Sequence, residues 1–348
     1  MKSNLERAYF FEKPDHIPML FAMCPACWEC YPQEWICEQF ETHPFLFPHY
    51  GRPDLPYTFH GSMNLSKAKP YTDDFGCTWV TNREGIVGCV VKHPLEDWSN
   101  YTDYVFPDPA VSMGLGPINW ETKKNELQSI RANGGLAMGE LRHGHTFLQL
   151  SDLRGYMNLM YDMADDEPLL WDLINKLEAF NTELVRRLID CGMNMFSFPE
   201  DLGMQQGPML SPEDFRTYIK PSYSRIMKLV RESGIPVYMH SDGDIRLLVD
   251  DLLDSGVQVM NLQDKVNGID WIRDNLKGKV CIDLDVDRQD TTVFGTPKDI
   301  DAMFYEAVEK LACPDGGLCM VYGWYPGVPM ENVTAVMDAM ERYAHWYD

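Results

Sequence analysis

Positive charge is scarce in this chain, and the scarcity narrows what it can bind. Among 348 residues, 30 are Lys or Arg and 53 are Asp or Glu, a formal net charge of −23. Nucleic acid and anionic membrane surfaces both demand a basic face, so both are excluded as partners. No apolar run approaches the roughly 18–20 residues needed to cross a bilayer. The opening Met1-Lys2-Ser3-Asn4-Leu5-Glu6-Arg7 is charged and has no apolar core of the signal-peptide type. A cytoplasmic location is therefore expected. Gly/Ser linkers, internal repeats and low-complexity tracts are also missing, which predicts a single domain over 1–348. Ten cysteines are spread from Cys24 to Cys319 with no export signal, so reduced thiols rather than a disulfide framework are expected.

What the chain does have is a large apolar fraction, 45% of residues, enough for a sizeable core. Its second half is regular. Gly134–Leu141, Met193–Pro199, Ile235–Met239, Val257–Leu262, Val280–Asp283 and Leu318–Val321 read as buried strands. Helical stretches lie between them: Leu150–Met163, Glu167–Cys191 with apolar residues near 3.6 spacing, and a closing helix over Glu331–Tyr347. Ser211-Pro212-Glu213-Asp214 carries an N-cap residue, a proline at the first position and acids in the first turn. Strands alternating with helices predict parallel pairing with crossovers. Over this length a single (β/α)8 TIM barrel is expected. The first third is less regular, with a short helix at Leu5–Phe11 and a first strand near Leu20. Cys77–Thr81 and Gly85–Val91 predict a β-rich flap within 71–107.

In such a barrel the strand ends carry the chemistry. Ile235–Met239 stops at His240, with Asp242 two residues on, so the two can point the same way. A His-x-Asp pair there can hold a metal ion or move a proton. Met193–Pro199 stops at Glu200-Asp201, and Glu200 is the expected third ligand beside His240 and Asp242. Glu140, His143 and His145 follow another strand; the two histidines alternate and are expected to contact substrate together. Asp283, Asp285 and Asp287 also alternate. Gln263 with Asp264, and Tyr322 with Trp324, close two further strands, the aromatic pair being suited to stack on a planar substrate. Cys24-x-x-Cys27-x-x-Cys30 has the spacing of a zinc or iron–sulfur site, although no second Cys-x-x-Cys pair follows.

Several stretches resemble the uroporphyrinogen decarboxylase superfamily, in particular its corrinoid-dependent methyltransferase branch. They are Phe11-Glu-Lys-Pro-Asp-His-Ile-Pro18, Asp73-Asp-Phe-Gly-Cys-Thr-Trp79, His93-Pro-Leu95, Met239-His-Ser-Asp-Gly243, Phe294-Gly-Thr-Pro-Lys-Asp-Ile300 and Pro329-Met-Glu-Asn-Val333. The resemblance implies the barrel fold and favours Asp287 as a rim residue. It also implies zinc on a His-x-Cys pair plus a late Cys. Here His240 matches the His, but Asp242 stands at the first Cys position, and the late one falls near Tyr322, with Cys319 just before it. A harder His/carboxylate set is left, as in the branch that demethylates methyl ethers. The superfamily's decarboxylases bind a polycarboxylate tetrapyrrole through arginines after the first strand, yet Pro18–Cys37 holds neither Arg nor Lys.

The function expected is transfer of a methyl group from a small methoxylated aromatic donor to the reduced corrinoid of a partner protein. Zinc or an acid would assist the leaving oxygen. Tetrapyrrole decarboxylation and a non-catalytic corrinoid- or porphyrin-binding role are the alternatives.

Overall fold

Apolar strand runs bounded by polar turns, each followed by an amphipathic helix, build most of the molecule. The computed structural model describes residues 2–348. In chain order the strands are β1 (Met19–Met23), β2 (Tyr71–Thr72), β3 (Thr78–Val80), β4 (Cys89–Lys92), β5 (Met138–Glu140), β6 (Met195–Pro199), β7 (Gly203–Met204), β8 (Gly207–Pro208), β9 (Val237–Ser241), β10 (Val259–Gln263), β11 (Cys281–Asp285) and β12 (Leu318–Trp324). Seven of them, β1, β5, β6, β9, β10, β11 and β12, form the parallel series of a (β/α)-barrel fold, the expected class. The chain divides into two compact units. One comprises Ala68–Val80 and Gly88–Met260; the other comprises Lys2–Lys67, Thr81–Val87 and Asn261–Asp348.

In the first unit β5 pairs with β6 (Gly139↔Phe196, Glu140↔Ser197), and β6 pairs with β9 (Phe196↔Val237, Phe198↔Met239, Pro199↔His240). Phe196, Phe198, Val237 and Met239 share one face of this sheet and are fully buried. Covering them costs no hydrogen bonds and contributes about 1.5–3 kcal/mol per side chain. The long helix Pro168–Asp190 buries Leu170, Leu173, Ile174, Leu177, Leu184 and Leu188, a stripe at three- and four-residue spacing. It starts on Pro168 at its first turn, with the Glu167 side chain accepting from the Leu169 N–H. The expected helix over 150–163 is in fact two, Phe147–Arg154 and Tyr156–Ala164. Gly155 separates them at φ 78°, a conformation that ends a right-handed helix and suits glycine.

The flap forms as antiparallel β2–β3–β4, with Tyr71↔Trp79 and Trp79↔Val90. Its third strand begins at Cys89 rather than Gly85, because the chain before it is spent in a turn, Ile86 N–H to Arg83 O at 3.3 Å. Asp73 fastens the hairpin: its carboxylate accepts from Cys77 N–H and Trp79 Nε1, both at 2.9 Å, and faces Arg142 Nη1 at 3.3 Å.

In the second unit β11, β12 and β1 are neighbours, with Ile282↔Leu318 and Phe21↔Tyr322. The opening helix, Asn4–Tyr9, carries a capping box in which Ser3 and Glu6 exchange hydrogen bonds. Thr296 and Asp299 do the same for the helix Pro297–Leu311. Among the described residues no helix is long and apolar enough to cross a membrane.

Candidate functional site

Parity along two neighbouring strands decides which polar side chains meet. Parallel partners at one level point to the same side of a sheet, and alternate residues follow them. Pro199 lies level with His240. Asp201, two residues beyond Pro199, therefore falls on the face of His240 and Asp242. Glu200 falls on the opposite face with Phe196 and Phe198. The loop after β5 brings in His143: Leu141 N–H bonds to Ser197 O at 3.4 Å and Gly144 N–H to Pro199 O at 3.0 Å, so it hugs the end of β6.

The result is a cluster of His143, Asp201 and His240 whose ligand atoms all lie within 4.8 Å of one another. Asp201 Oδ1 is 3.3 Å from His143 Nε2 and 3.4 Å from His240 Nε2. The two imidazole rings are 5.5 Å apart between centroids. Asp242 is adjacent, its Oδ1 3.8 Å from His240 Nε2, and its backbone N–H donates to Asp201 Oδ1 at 3.1 Å. Burial works to raise the Asp201 carboxyl, but hydrogen bonds from His143 and His240 outweigh it and hold the group well below the usual carboxylate range. Asp201 is thus an anion gripped between two imidazoles. Such a set can bind a divalent ion or hold an imidazole in place for proton transfer.

The expected ligand Glu200 is turned away from this cluster. Its carboxylate is fully buried and accepts from the backbone N–H groups of Thr146 (3.1 Å), Phe147 (3.0 Å) and Leu148 (2.9 Å) and from the Tyr223 hydroxyl (2.6 Å). Burial pushes the group up to about 7, against the pull of those hydrogen bonds. His145 joins Glu200 rather than His143. It is buried, its Nδ1 lies 2.7 Å from Thr146 Oγ1, and its ring packs edge-on to Phe198 at 4.0 Å. Burial holds it well below the usual imidazole range, so it stays neutral. The expected alternation of His143 and His145 fails because the segment is a turn, not a strand. Glu140 ends β5 and is exposed.

The remaining expected residues lie in the second unit. Asp287 caps a turn, its carboxylate accepting from Gln289, Asp290 and Thr291 N–H groups at 3.1, 3.1 and 2.5 Å. Tyr322 and Trp324 are fully buried, 5.4 and 6.2 Å from the Phe21 ring, and Trp324 also lies 4.7 Å from Tyr31. Both pack as core. Gln263 is buried at the end of β10, beside a small cavity of about 20 Å³ that Asp264, Asp285, Asp287 and Arg288 also line. That is room for one water. The Cys24, Cys27 and Cys30 thiols do not converge. Cys24 faces Gly85 O at 3.5 Å, Cys27 faces Trp324 O at 3.5 Å, and Cys30 lies 3.7 Å from Arg83 Nη1.

The turn after β9 meets β7 backbone to backbone. Gly243 sits at φ 80°, and a Cβ there would come within 2.2 Å of Gly203 C. Gly243→Ala is expected to cost about 2–4 kcal/mol, from left-handed backbone strain and the overlap together. Denaturant unfolding measures it; a loss under half a kcal/mol, by that same yardstick, would show that the turn relaxes freely.

Two buried carboxyls, Glu200 and Asp264, and the half-buried Asp152 make stability depend on pH. Burial raises Glu200 and Asp264 each to about 7 and Asp152 to about 6, from ordinary values of 4.5 for Glu and 3.8 for Asp. A raised folded-state value favours folding below the unfolded value, and that gain is lost as pH climbs through the folded one. Unfolding free energy should therefore decline from about pH 4 to about pH 7.5 through these groups. Asp201, held low, acts in the opposite sense and only in stronger acid. A denaturant series across pH checks this, and Asp264→Asn should flatten the decline.

A family model described as Uroporphyrinogen decarboxylase (URO-D) matches residues 147–343, a stretch that includes Asp201 and His240 and begins after His143. Two curated relatives are uroporphyrinogen decarboxylases. That of Thermus thermophilus is 26% identical over 197 residues, covering 55% of this chain and 54% of the relative. That of Prochlorococcus marinus is 25% identical over 183 residues, covering 51% and 49%. The chain thus spans about half the length of the curated relatives it matches. A solved structure described as a methyltransferase from Methanosarcina mazei shares the fold over 98% of both chains, with a TM-score of 0.65 and 17% identity.

Proposed function

We propose that this chain, which belongs to the uroporphyrinogen decarboxylase family, is a methyltransferase that takes a methyl group from a small methoxylated aromatic donor and passes it to the reduced corrinoid of a separate carrier protein. The observation that carries this reading is Asp201 set between His143 and His240 at parallel-strand ends. The fold shared with a methyltransferase supports it by analogy only.

The donor set fits a zinc ion: two imidazoles and an ionised carboxylate converge, with Asp242 adjacent. His143, Asp201 and His240 would hold it. When bound, it would polarise the oxygen that leaves. The chain's own residues do the rest. In the transfer the C–O bond of the methyl ether breaks, the methyl carbon bonds to the acceptor and the oxygen departs with the electron pair. A phenoxide is the manageable leaving group, its conjugate acid having a pKa near about 10. Asp201 keeps the imidazoles of His143 and His240 oriented towards the site; without a metal, an imidazole in that place could pass a proton to the leaving oxygen instead.

The curated relatives' name favours decarboxylation of a tetrapyrrole as a second reading. Against it, no Arg or Lys lies between Pro18 and Cys37 to meet a polycarboxylate. A binding-only role would have no use for an anion gripped between two imidazoles. One pair of assays separates the readings. Methyl loss from a panel of methoxylated aromatics in the presence of reduced carrier is expected, with no CO2 released from uroporphyrinogen. Release of CO2 without methyl loss would reverse the conclusion.

A further inference from the structure

We propose that Glu200 is a positioning residue: it ties the three segments bearing His143, Asp201 and His240 into one rigid frame without touching substrate or metal itself. This rests on the reading of that cluster given above.

The geometry is specific. Through its carboxylate, Glu200 holds the N–H groups of Thr146, Phe147 and Leu148, three to five residues beyond His143. Through its backbone N–H it bonds to His240 O at 3.0 Å. Through the peptide bond it is joined to Asp201. One residue thus reaches all three candidate ligands by one bond or a short stretch of chain.

The carboxylate also does what the local sequence leaves undone. The helix Phe147–Arg154 opens on Thr146, whose side chain makes no capping hydrogen bond. Its first N–H groups need acceptors, since nothing within the helix can supply them. Glu200 supplies these from a different strand, where the helix N-terminus also favours a negative group. Tyr223 donates a further hydrogen bond at 2.6 Å and fixes the carboxylate from behind. The side chain is fully buried, so water cannot substitute for it. A second tie keeps the same loop in place: Asn181 Nδ2 donates to His145 O at 2.9 Å. It does not reach β6 or β9, so it cannot align the loop with Asp201 and His240.

Glu200→Gln keeps the volume but replaces one acceptor oxygen with an NH2 group that faces N–H donors. It is expected to remain folded, to bind zinc about 10–100-fold more weakly, and to shift the ring resonances of His143 and His240 in the metal-free protein. Leu184→Ala, a core truncation in the helix Pro168–Asp190, should lower stability without either effect. If Glu200→Gln fails to fold, Tyr223→Phe removes one donor to the same carboxylate and should weaken zinc several-fold. Wild-type zinc affinity together with unchanged histidine resonances in whichever of the two variants folds would overturn the proposal. So would an equal loss of zinc affinity in Leu184→Ala, since stability alone would then explain it. Wild-type protein that binds no zinc would sink the metal reading, while the metal-free resonances would still decide the role of Glu200.

Discussion

His240→Ala is expected to abolish stoichiometric zinc binding and to lower turnover by at least about a hundredfold. Nε2 of His240 lies 3.4 Å from Asp201 and 3.8 Å from Asp242, so its removal strips the shared partner from both carboxylates. Two like charges then face each other without the imidazole between them. Asp201→Asn should follow closely, because it removes the anion that grips both imidazoles. Asp242→Ala should do less, since Asp242 is 3.8 Å from one imidazole only. Elemental analysis of each purified variant, beside the methyl-loss assay, reads the order. Full activity in metal-free wild-type protein would leave proton donation by an imidazole as the whole of the assistance.

The reaction is further expected to collapse without the reduced carrier protein, with free corrinoid a poor substitute. Docking would supply the in-line approach to the methyl carbon, and orientation of this kind is worth several orders of magnitude. The chain's net charge of −23 would suit a carrier surface with basic residues at its rim. Association should therefore weaken as salt is raised from about 0.05 to 0.5 M, as screening shortens the reach of those charges. Titration of carrier into the assay at several ionic strengths tests both points. Methyl loss that proceeds equally well with no corrinoid present would show that another nucleophile accepts the group.

The strand ends were legible in the sequence because an apolar run that halts at a polar residue looks the same before and after folding. His240 and Asp242 come from one such halt, and both stand at the site. The choice between Glu200 and Asp201 was not legible in that way. Adjacent residues on a strand point to opposite faces, and only the pairing of Pro199 with His240 says which face is which. Once that level partner is known, counting two residues on from Pro199 selects Asp201. His143 was legible as a candidate but not as a ligand, since period-two alternation holds only in extended chain. Trp324 and Tyr322 misled for another reason. An aromatic side chain at a strand end is equally suited to a substrate and to the core, and sequence carries no measure of burial.

The contact between Gly203 and Gly243 bears on how this protein's specificity could be changed. Because β7 and the turn after β9 touch through bare backbone, no side chain can be introduced at 203 or 243, and their neighbours Asp201 and Asp242 already belong to the site. The freedom to admit a different donor must come from segments that carry side chains towards solvent, such as the flap strand Cys89–Lys92. A library built for new substrates would do best to hold 203 and 243 fixed and vary those segments instead.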